Sequence, residues 1–428
     1  MYRYVLIALQ KNTMFTNDID LMSPVGSFES LMAAIQAGAT SVYFGVGKLN
    51  MRSRSAINFT LNDLQEISRI CGNHKVRTYL TVNTVIYDDE IDEMHELIIA
   101  AKNNNISAII ASDMAVVEYA RSNGIEVHAS TQLNISNFEA VKFFSQWCDV
   151  MVLARELSLK QVAEINRKIT EQQVKGPSGN LIKTEIFVHG ALCMAVSGKC
   201  YLSLHEFNKS ANRGECFQTC RRAYEVFDKE TGYQLEIDNE YIMSPKDLNT
   251  IGFLNKILNA GVKVLKIEGR ARAPEYVKTV TQCYREAINA CFDGTYSDER
   301  IHNWNKRLTL VFNRGFWNGY YLGQPMGEWS MHYGSSASRT KKHIGKCSNY
   351  FSKSKVAEFI IETPDTLMPG ETILIIGPTT GVVEIMIDEI RVDDQPVHSV
   401  ERGVRFSVKL FEPVRRNDKL YKYISTGK

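Results

Sequence analysis

Ala33-Ala34-Ile35-Gln36-Ala37-Gly38-Ala39, leading into Ser41-Val42-Tyr43-Phe44-Gly45, joins a helix end to a strand through one glycine. Gly38 supplies the left-handed backbone that closes a helix, and the run after it is short, apolar and partly β-branched, as in a strand buried on both faces. The phrase recurs: residues 100–105 lead into 108–112, 119–124 into 126–130, and 257–261 into 264–268, each through Gly or Asn. Further strands are expected at 19–22, 76–82, 149–154 and 185–188, which makes eight. Regular alternation of strand and helix implies a parallel sheet. Eight units in ~250 residues imply a closed TIM-like (β/α)8 barrel rather than an open doubly wound sheet. No Gly-x-Gly-x-x-Gly follows an early strand, so a dinucleotide site has no support.

Outward from the barrel, the expected organisation is an N-terminal tail at 1–16, the barrel at 17–292 with a cysteine-bearing insertion at 190–262, a connector at 293–340 and a small C-terminal β-barrel domain at 341–428. The insertion exists because ~70 residues separate the seventh and eighth strands, too many for a βα loop. Within it a hairpin is expected, 224–227 against 233–237, and then a helix near 248–258; another helix follows the eighth strand near 274–291. The C-terminal strands are expected at 356–361, 372–376, 382–386, 404–408 and 419–423. By analogy alone, such a module holds a partner or RNA.

An apolar fraction of 44% with 23% charged residues is that of a soluble globular chain, and a net charge of +2 neither demands nor excludes nucleic acid. The first ten residues hold a short apolar run without a small-residue cleavage site, and Met14 is a candidate start. No run of ~18 apolar residues occurs, so no spanning helix and no membrane partner are expected. The setting read from this is reducing and cytoplasmic. There, an odd count of nine cysteines speaks for metal or catalysis over disulfides.

Four of the nine fall within 28 residues, Cys193, Cys200, Cys216 and Cys220, spaced C-x6-C-x15-C-x3-C. Gly, Ser and Arg flank them rather than an apolar face, whereas Cys71, Cys148, Cys283 and Cys291 sit in or beside helical patterns as small hydrophobes. Structural zinc favours tight C-x2–4-C pairs, so the wide first spacing favours an iron–sulfur cluster over zinc. Arg213, Arg221 and Arg222 would balance thiolate and sulfide charge, or meet an anionic substrate or RNA phosphates. Barrel active sites lie at the C-terminal strand ends. The polar residues expected there are Asn83, Asp113, His128 with Ser130, Thr131 and Gln132, Arg155 with Glu156, His189, and Glu268 with Arg270, joined by the loop residues Arg52, Arg54 and Asn58. From these, His128, Arg155, His189, Glu268 and Arg270 are taken as the catalytic candidates. Each has a plainer reading: Asp113 as a helix N-cap, Glu156 at a helix start, His128 as a hydrogen-bonded core residue, Glu268 with Arg270 as a rim ion pair.

Protease signatures are missing. His95-Glu96-Leu-Ile-Ile99 and His205-Glu206-Phe-Asn-Lys209 lack the second His of a zinc protease, and no Gly-x-Ser-x-Gly occurs. A Cys193–His189 pair stays open as nucleophile and base. Glu185-x-Phe187-x-His189-Gly190-Ala-Leu-Cys193-x4-Ser197-Gly198-x-Cys200-x-x-Ser203 nevertheless resembles the signature of peptidase family U32, the collagenase-like proteins. Asn212-Arg213-Gly214-x-Cys216-x3-Cys220-Arg221, Lys266-Ile-Glu268-Gly-Arg270, Val82-Asn83-Thr84 and His128-x-Ser130-Thr131-Gln132 resemble its further blocks, while Ser23-Pro24-Val25-Gly26 stands where the family often has Ala-Pro-Ala-Gly. The resemblance implies an oxygen-independent hydroxylation protein with a 4Fe–4S cluster on the four cysteines. One branch of the family acts on tRNA, forming 5-hydroxyuridine at the wobble position. Another acts on a cytidine of 23S ribosomal RNA, and a third on ubiquinone precursors. For the RNA branches it implies prephenate, a small anionic co-substrate, and iron–sulfur assembly proteins as possible partners. The C-terminal β domain is most similar to the tRNA branch, and the family's older implication is peptidase activity.

Overall fold

The computed structural model describes residues 18–54, 56–225, 229–231, 243–324, 327–331 and 333–427. Both the tail at 1–16 and most of the expected hairpin in the insertion lie outside the described residues. Eight parallel strands close the barrel: β1 (Asp20–Pro24), β2 (Ser41–Gly45), β3 (Arg77–Val82), β4 (Ala108–Ala111), β5 (Glu126–Ala129), β6 (Val150–Val152), β7 (Lys183–Gly190) and, after the insertion and β8 (Asp247–Asn249), β9 (Val264–Ile267). Closure comes from β9, which pairs in parallel with both β7 and β1. Every residue of β2, β4, β6 and β9 is buried, because helices cover the barrel outside and side chains fill it inside. Gly38, Asn105, Gly124 and Gly261 all take positive φ where helices hand over to strands.

Two expectations are corrected. The insertion does not go straight into a helix near 248–258. It first forms β8, antiparallel to the end of β7 through His189↔Asn249, and the helix is only Leu254–Asn259. Nor is 293–340 a plain connector. It holds the helix Asp298–Thr309, whose Trp304 and Leu308 join the barrel core, and β10 (Phe316–Trp317), which extends the sheet beside β8. Polar and aromatic composition hid these elements, since their burial is against distant parts of the chain.

From Arg339 the chain forms an eight-stranded antiparallel sheet around its own core of Ile344, Phe359, Ile373, Phe406 and Leu420. The five expected strands are present, joined by the 13-residue β11 (Arg339–Phe351) and by β15 (Ile390–Val392) and β16 (Gln395–Val397), which the sequence pattern did not mark. This domain packs on the barrel helices Phe28–Gln36 and Pro274–Asp293. Ala33 joins Leu374, Ile376 and Val382 in a small apolar cluster, and Gln36 Nε2 donates to Thr380 O at 2.7 Å. Among the described residues no helix is long and apolar enough to cross a membrane.

Candidate active site at the barrel mouth

The C-terminal strand ends open on a cavity of about 200 Å³. Tyr43 of β2, Arg52 of the following loop, Thr81 and Asn83 at β3, Ser130, Thr131 and Gln132 after β5, and Arg155 after β6 line it. Phe187 of β7 and Lys266, Glu268 and Arg270 at β9 complete the barrel's share. The insertion adds Cys193, Cys216, Cys220 and Arg221, and Arg272 and Arg314 close the wall. Seven lining side chains are Arg or Lys, and Glu268 is the one acid among them. Such an excess of cation in a confined, partly apolar space favours an anionic occupant.

Glu268 is the electrostatic centre. Arg52 donates to its Oε1 from Nη2 at 2.7 Å and from Nε at 3.2 Å. Burial alone would raise this carboxyl, but Arg52, Arg155 and Arg270 outweigh it and hold it at about 2. Arg270 is buried and donates to Thr81 Oγ1 at 2.7 Å and Asn50 Oδ1 at 3.1 Å; burial brings it down to about 10. Arg155 lies flat over the Phe187 ring at 4.0 Å, and its buried Nε has no hydrogen-bond partner. With Arg272, whose guanidinium lies over the Phe312 ring at 3.5 Å, it is a lining cation with donor capacity left for a ligand. The rim is tied by amides: Gln132 Nε2 donates to Asn83 O at 3.0 Å, and Asn83 Oδ1 accepts from Met51 N at 3.2 Å. Gly190, at φ +102°, lets β7 turn into the insertion against β9, since a Cβ there would stand 2.4 Å from Glu268 O.

The insertion's arginines also pin it in place, and of Arg213, Arg221 and Arg222 only Arg221 reaches the cavity wall. Arg213 forms a two-pronged pair with Glu90 (2.6 and 3.1 Å) and covers the Tyr87 ring; Arg222 pairs with Glu206. Arg221 donates to Leu192 O at 2.6 Å and Pro245 O at 2.7 Å, clamping the two ends of the insertion together. Arg54 stacks over Phe217 of the insertion at 3.6 Å, and Asn58 holds its own loop through Ser53 O.

All four clustered cysteines are free of disulfides; Cys193 is exposed and the others are half-buried. Burial pushes the Cys220 thiol up to about 11 against the opposing Arg221, and Cys193, Cys216 and Cys200 each stand near enough to raise it further. Burial raises Cys200 as well, with Cys193 and Cys216 adding to it. The four sulfurs thus share one neighbourhood, yet among the described residues no three His, Cys, Asp or Glu side chains close on a single-ion position. These four thiols are the residues of this site that could hold a metal or cluster, an all-sulfur donor set of the kind iron–sulfur groups take.

Of the five catalytic candidates, Arg155, Glu268 and Arg270 meet at the cavity, and His128 and His189 are not in its wall. His189 is packed among Tyr276, Tyr284 and Phe316, and burial lowers it to about 3. Its Nδ1 faces the Tyr284 hydroxyl at 3.4 Å rather than Cys193, so the open nucleophile–base pair is not assembled. His128 is fully buried below the mouth, bound to Glu126. Glu156 is exposed and off the wall. Asp113 is the N-cap of the helix Met114–Ser122, accepting from Ala115 N at 3.0 Å. Asp113→Ala is expected to cost about 1 kcal/mol in urea melts and to leave any activity of the site intact. Tyr43, Arg272 and Arg314 were not singled out from sequence, and Lys266 entered only as the first residue of the block Lys266-Ile-Glu268-Gly-Arg270 and not as a site candidate. The signal was present for Lys266 and Tyr43, as polar groups inside strands otherwise buried on both faces.

A model of peptidase family U32 matches residues 26–331. The chain belongs to peptidase family U32. This U32 protein is 58% identical over 410 residues to a protein named collagenase from Porphyromonas gingivalis, covering 96% of this chain and 99% of that one. It is 30% identical over 386 residues to tRNA hydroxylation protein P1 of Bacillus subtilis, covering 87% and 88%. It is also 34% identical over 285 residues to a 23S rRNA 5-hydroxycytidine synthase of Escherichia coli, covering 66% of this chain and 41% of that one.

Proposed function

We propose that this U32 protein hydroxylates RNA without dioxygen, converting a tRNA wobble uridine to 5-hydroxyuridine with a prephenate-like anion as co-substrate. The observation that carries the reading is the joining of three thiols, Cys193, Cys216 and Cys220, with seven cations around one small cavity, Cys200 standing beside Cys193 and Cys216. Cys193, Cys200, Cys216 and Cys220 would hold a 4Fe–4S cluster, which when bound supplies electron-transfer chemistry beside the cavity. The chain's own residues would do the rest. Arg155 neutralises a carboxylate of the co-substrate, and Glu268 keeps Arg52 in place. The Asn83–Gln132 rim offers amide groups to a base edge. A wobble base reaches such a pocket cheaply, because an anticodon-loop nucleotide is already unpaired. Arg155→Met is expected to raise KM for the anionic co-substrate about 10- to 100-fold with little change in kcat, the loss of a charge-assisted contact.

Nucleoside mass spectrometry on a deletion strain tests the reading, with tRNA and ribosomal RNA measured separately and wild type or Cys193→Ala re-expressed. Loss of 5-hydroxyuridine-derived nucleosides from tRNA, restored by wild type alone, supports it; unchanged modification in both RNA pools overturns it. The relative named collagenase favours a second reading, a peptidase. That reading requires purified protein to cleave collagen-like peptides and to lose the activity with a single nucleophile.

A further inference from the structure

Barrel interiors of this kind are filled by layers of apolar side chains. Here a line of ionisable groups runs through the barrel instead. Lys266 in the cavity wall donates to Glu185 Oε1 at 2.8 Å, and neither residue is more than 5% exposed. The other oxygen of Glu185 stands 3.8 Å from His128 Nδ1. His128 Nε2 meets Glu126 Oε1 at 3.0 Å, and Glu126 Oε2 accepts from Arg77 at 2.8 Å. Arg77 lines a second cavity of about 120 Å³, with Asp18, Asp20 and Lys263, at the strand starts on the opposite end of the barrel. Strand periodicity explains the alignment: Glu126 and His128 are two residues apart on β5 and share its inward face.

The gap between Glu185 and His128 is informative. Both Glu185 Oε2 and His128 Nδ1 are buried and lack a hydrogen-bond partner. With the imidazole proton on Nε2, directed at Glu126, Nδ1 is a bare acceptor facing a bare carboxylate oxygen. Two acceptors do not bond, so they stand apart. One added proton on either group would close the contact. A pair kept for stability alone would be satisfied, since an orphaned buried polar atom costs about 1–3 kcal/mol. The other groups facing this pair are Tyr79, whose ring is 4.5 Å from the His128 ring and whose hydroxyl donates to Asp20 at 2.7 Å, and Lys266. None of them supplies the missing proton to Glu185 Oε2 or His128 Nδ1.

We propose that Lys266, Glu185, His128 and Glu126 form a proton relay from the mouth cavity to solvent at the far end of the barrel. A proton released in the cavity enters at Lys266, which hands one to Glu185. Rotation of the Glu185 carboxyl carries the proton from the Oε1 side to the side facing His128 Nδ1, His128 accepts it there as its Nε2 proton passes to Glu126, Glu126 releases that proton to water, and a half-turn of the imidazole restores the starting tautomer. One proton enters, one leaves, and no electrons move. The arrangement lets the mouth be covered by a macromolecule while the chemistry sheds its proton elsewhere. It rests on the hydroxylation reading only for the source of that proton, the base C5–H.

Two measurements on the full-length protein test it. The first is 15N NMR of the imidazole nitrogens, with His128 assigned by its loss in His128→Asn. The expected state near neutral pH has Nε2 protonated and Nδ1 bare. Glu185→Gln, whose amide can donate, should move the Nδ1 signal to a hydrogen-bonded position. A proton on Nδ1 throughout, or an Nδ1 signal indifferent to Glu185→Gln, overturns the relay. The second is turnover of cluster-loaded protein on tRNA. Glu185→Gln and Glu126→Gln should each lower kcat at least about tenfold, leave KM for the co-substrate unchanged and enlarge the solvent deuterium effect. Glu126 also pairs with Arg77, so a urea melt of each variant beside the turnover separates lost folding from a lost relay. Wild-type rates, pH profile and isotope effect in both variants overturn the relay. If the wild type itself does not hydroxylate RNA, the functional reading falls and the NMR result alone decides the relay.

Discussion

Cys193→Ala is expected to remove iron, acid-labile sulfide and RNA hydroxylation together, while leaving the fold in place. Cys193 is the exposed member of the four, so losing its sulfur costs little packing, and the cluster-free variant is expected to differ in stability from the cluster-free wild type by no more than about 0.5 kcal/mol. The consequence for a cluster is different, because each thiolate both holds an iron and neutralises its charge. The measurement is iron and sulfide per chain after anaerobic purification, beside a urea melt and a nucleoside analysis. Hydroxylation that survives without the cluster would sink the assignment. So would stoichiometric zinc without iron in the wild type, which would leave the four cysteines a structural role.

The second large effect is at Glu268. Its carboxyl is held at about 2 against an ordinary value of 4.5, so the folded state binds its proton less readily than the unfolded one. A depressed carboxyl contributes stability that is fully present above the unfolded value and is lost as pH falls towards the folded one. The window here runs from about pH 5 down to about pH 2, and the contribution is at most about 3 kcal/mol. Because 12% of the side chain stays exposed to the cavity, the true figure lies below that ceiling. Glu268→Gln removes the charge, leaves Arg52 without its partner and is expected to destabilise the protein at pH 7 by about 2 kcal/mol. It should also flatten the loss of stability between pH 5 and pH 3. Urea midpoints at those pH values, measured for both proteins, check this; parallel pH curves would show that Glu268 is not the group being titrated. Occupancy of the cavity by an anion should suffer too, since Arg52 would swing free.

Much of the barrel was legible because its signal is local. Gly38, Asn105, Gly124 and Gly261 mark helix ends within a few residues of the strands they precede, and all four take positive φ. β8 and β10 escaped notice because strands of two or three residues carry no period; they exist only by pairing with β7 and with each other. The long β11 was missed for a related reason: Lys342 and Lys346 face solvent, Lys341 reaches Glu275 of a barrel helix, and all three pair with acids on other parts of the chain, so the segment reads as polar.

At the site, the cysteine spacing and the strand-end rule located Arg155, Glu268 and Arg270 without coordinates. The histidines went the other way. His189 sits at a strand end, as expected, but the turn into β8 buries it among tyrosines, and His128 points down the barrel instead of up to the mouth. Inward or upward direction depends on where a strand stops in the closed barrel, which no single strand records.

The amino-acid order by itself determined that this chain makes a (β/α)8 barrel, because that follows from short-range pattern, period and punctuation, while the cysteine spacing raised only the expectation that the four thiols meet. Only the tertiary structure decided which charges are free. Arg213 is consumed by Glu90 from 123 residues away, Lys266 by Glu185 from 81 residues away, and Arg155 keeps a donor unspent. Charge pairing acts through space over a few ångströms, and only the folded chain brings those partners within that range.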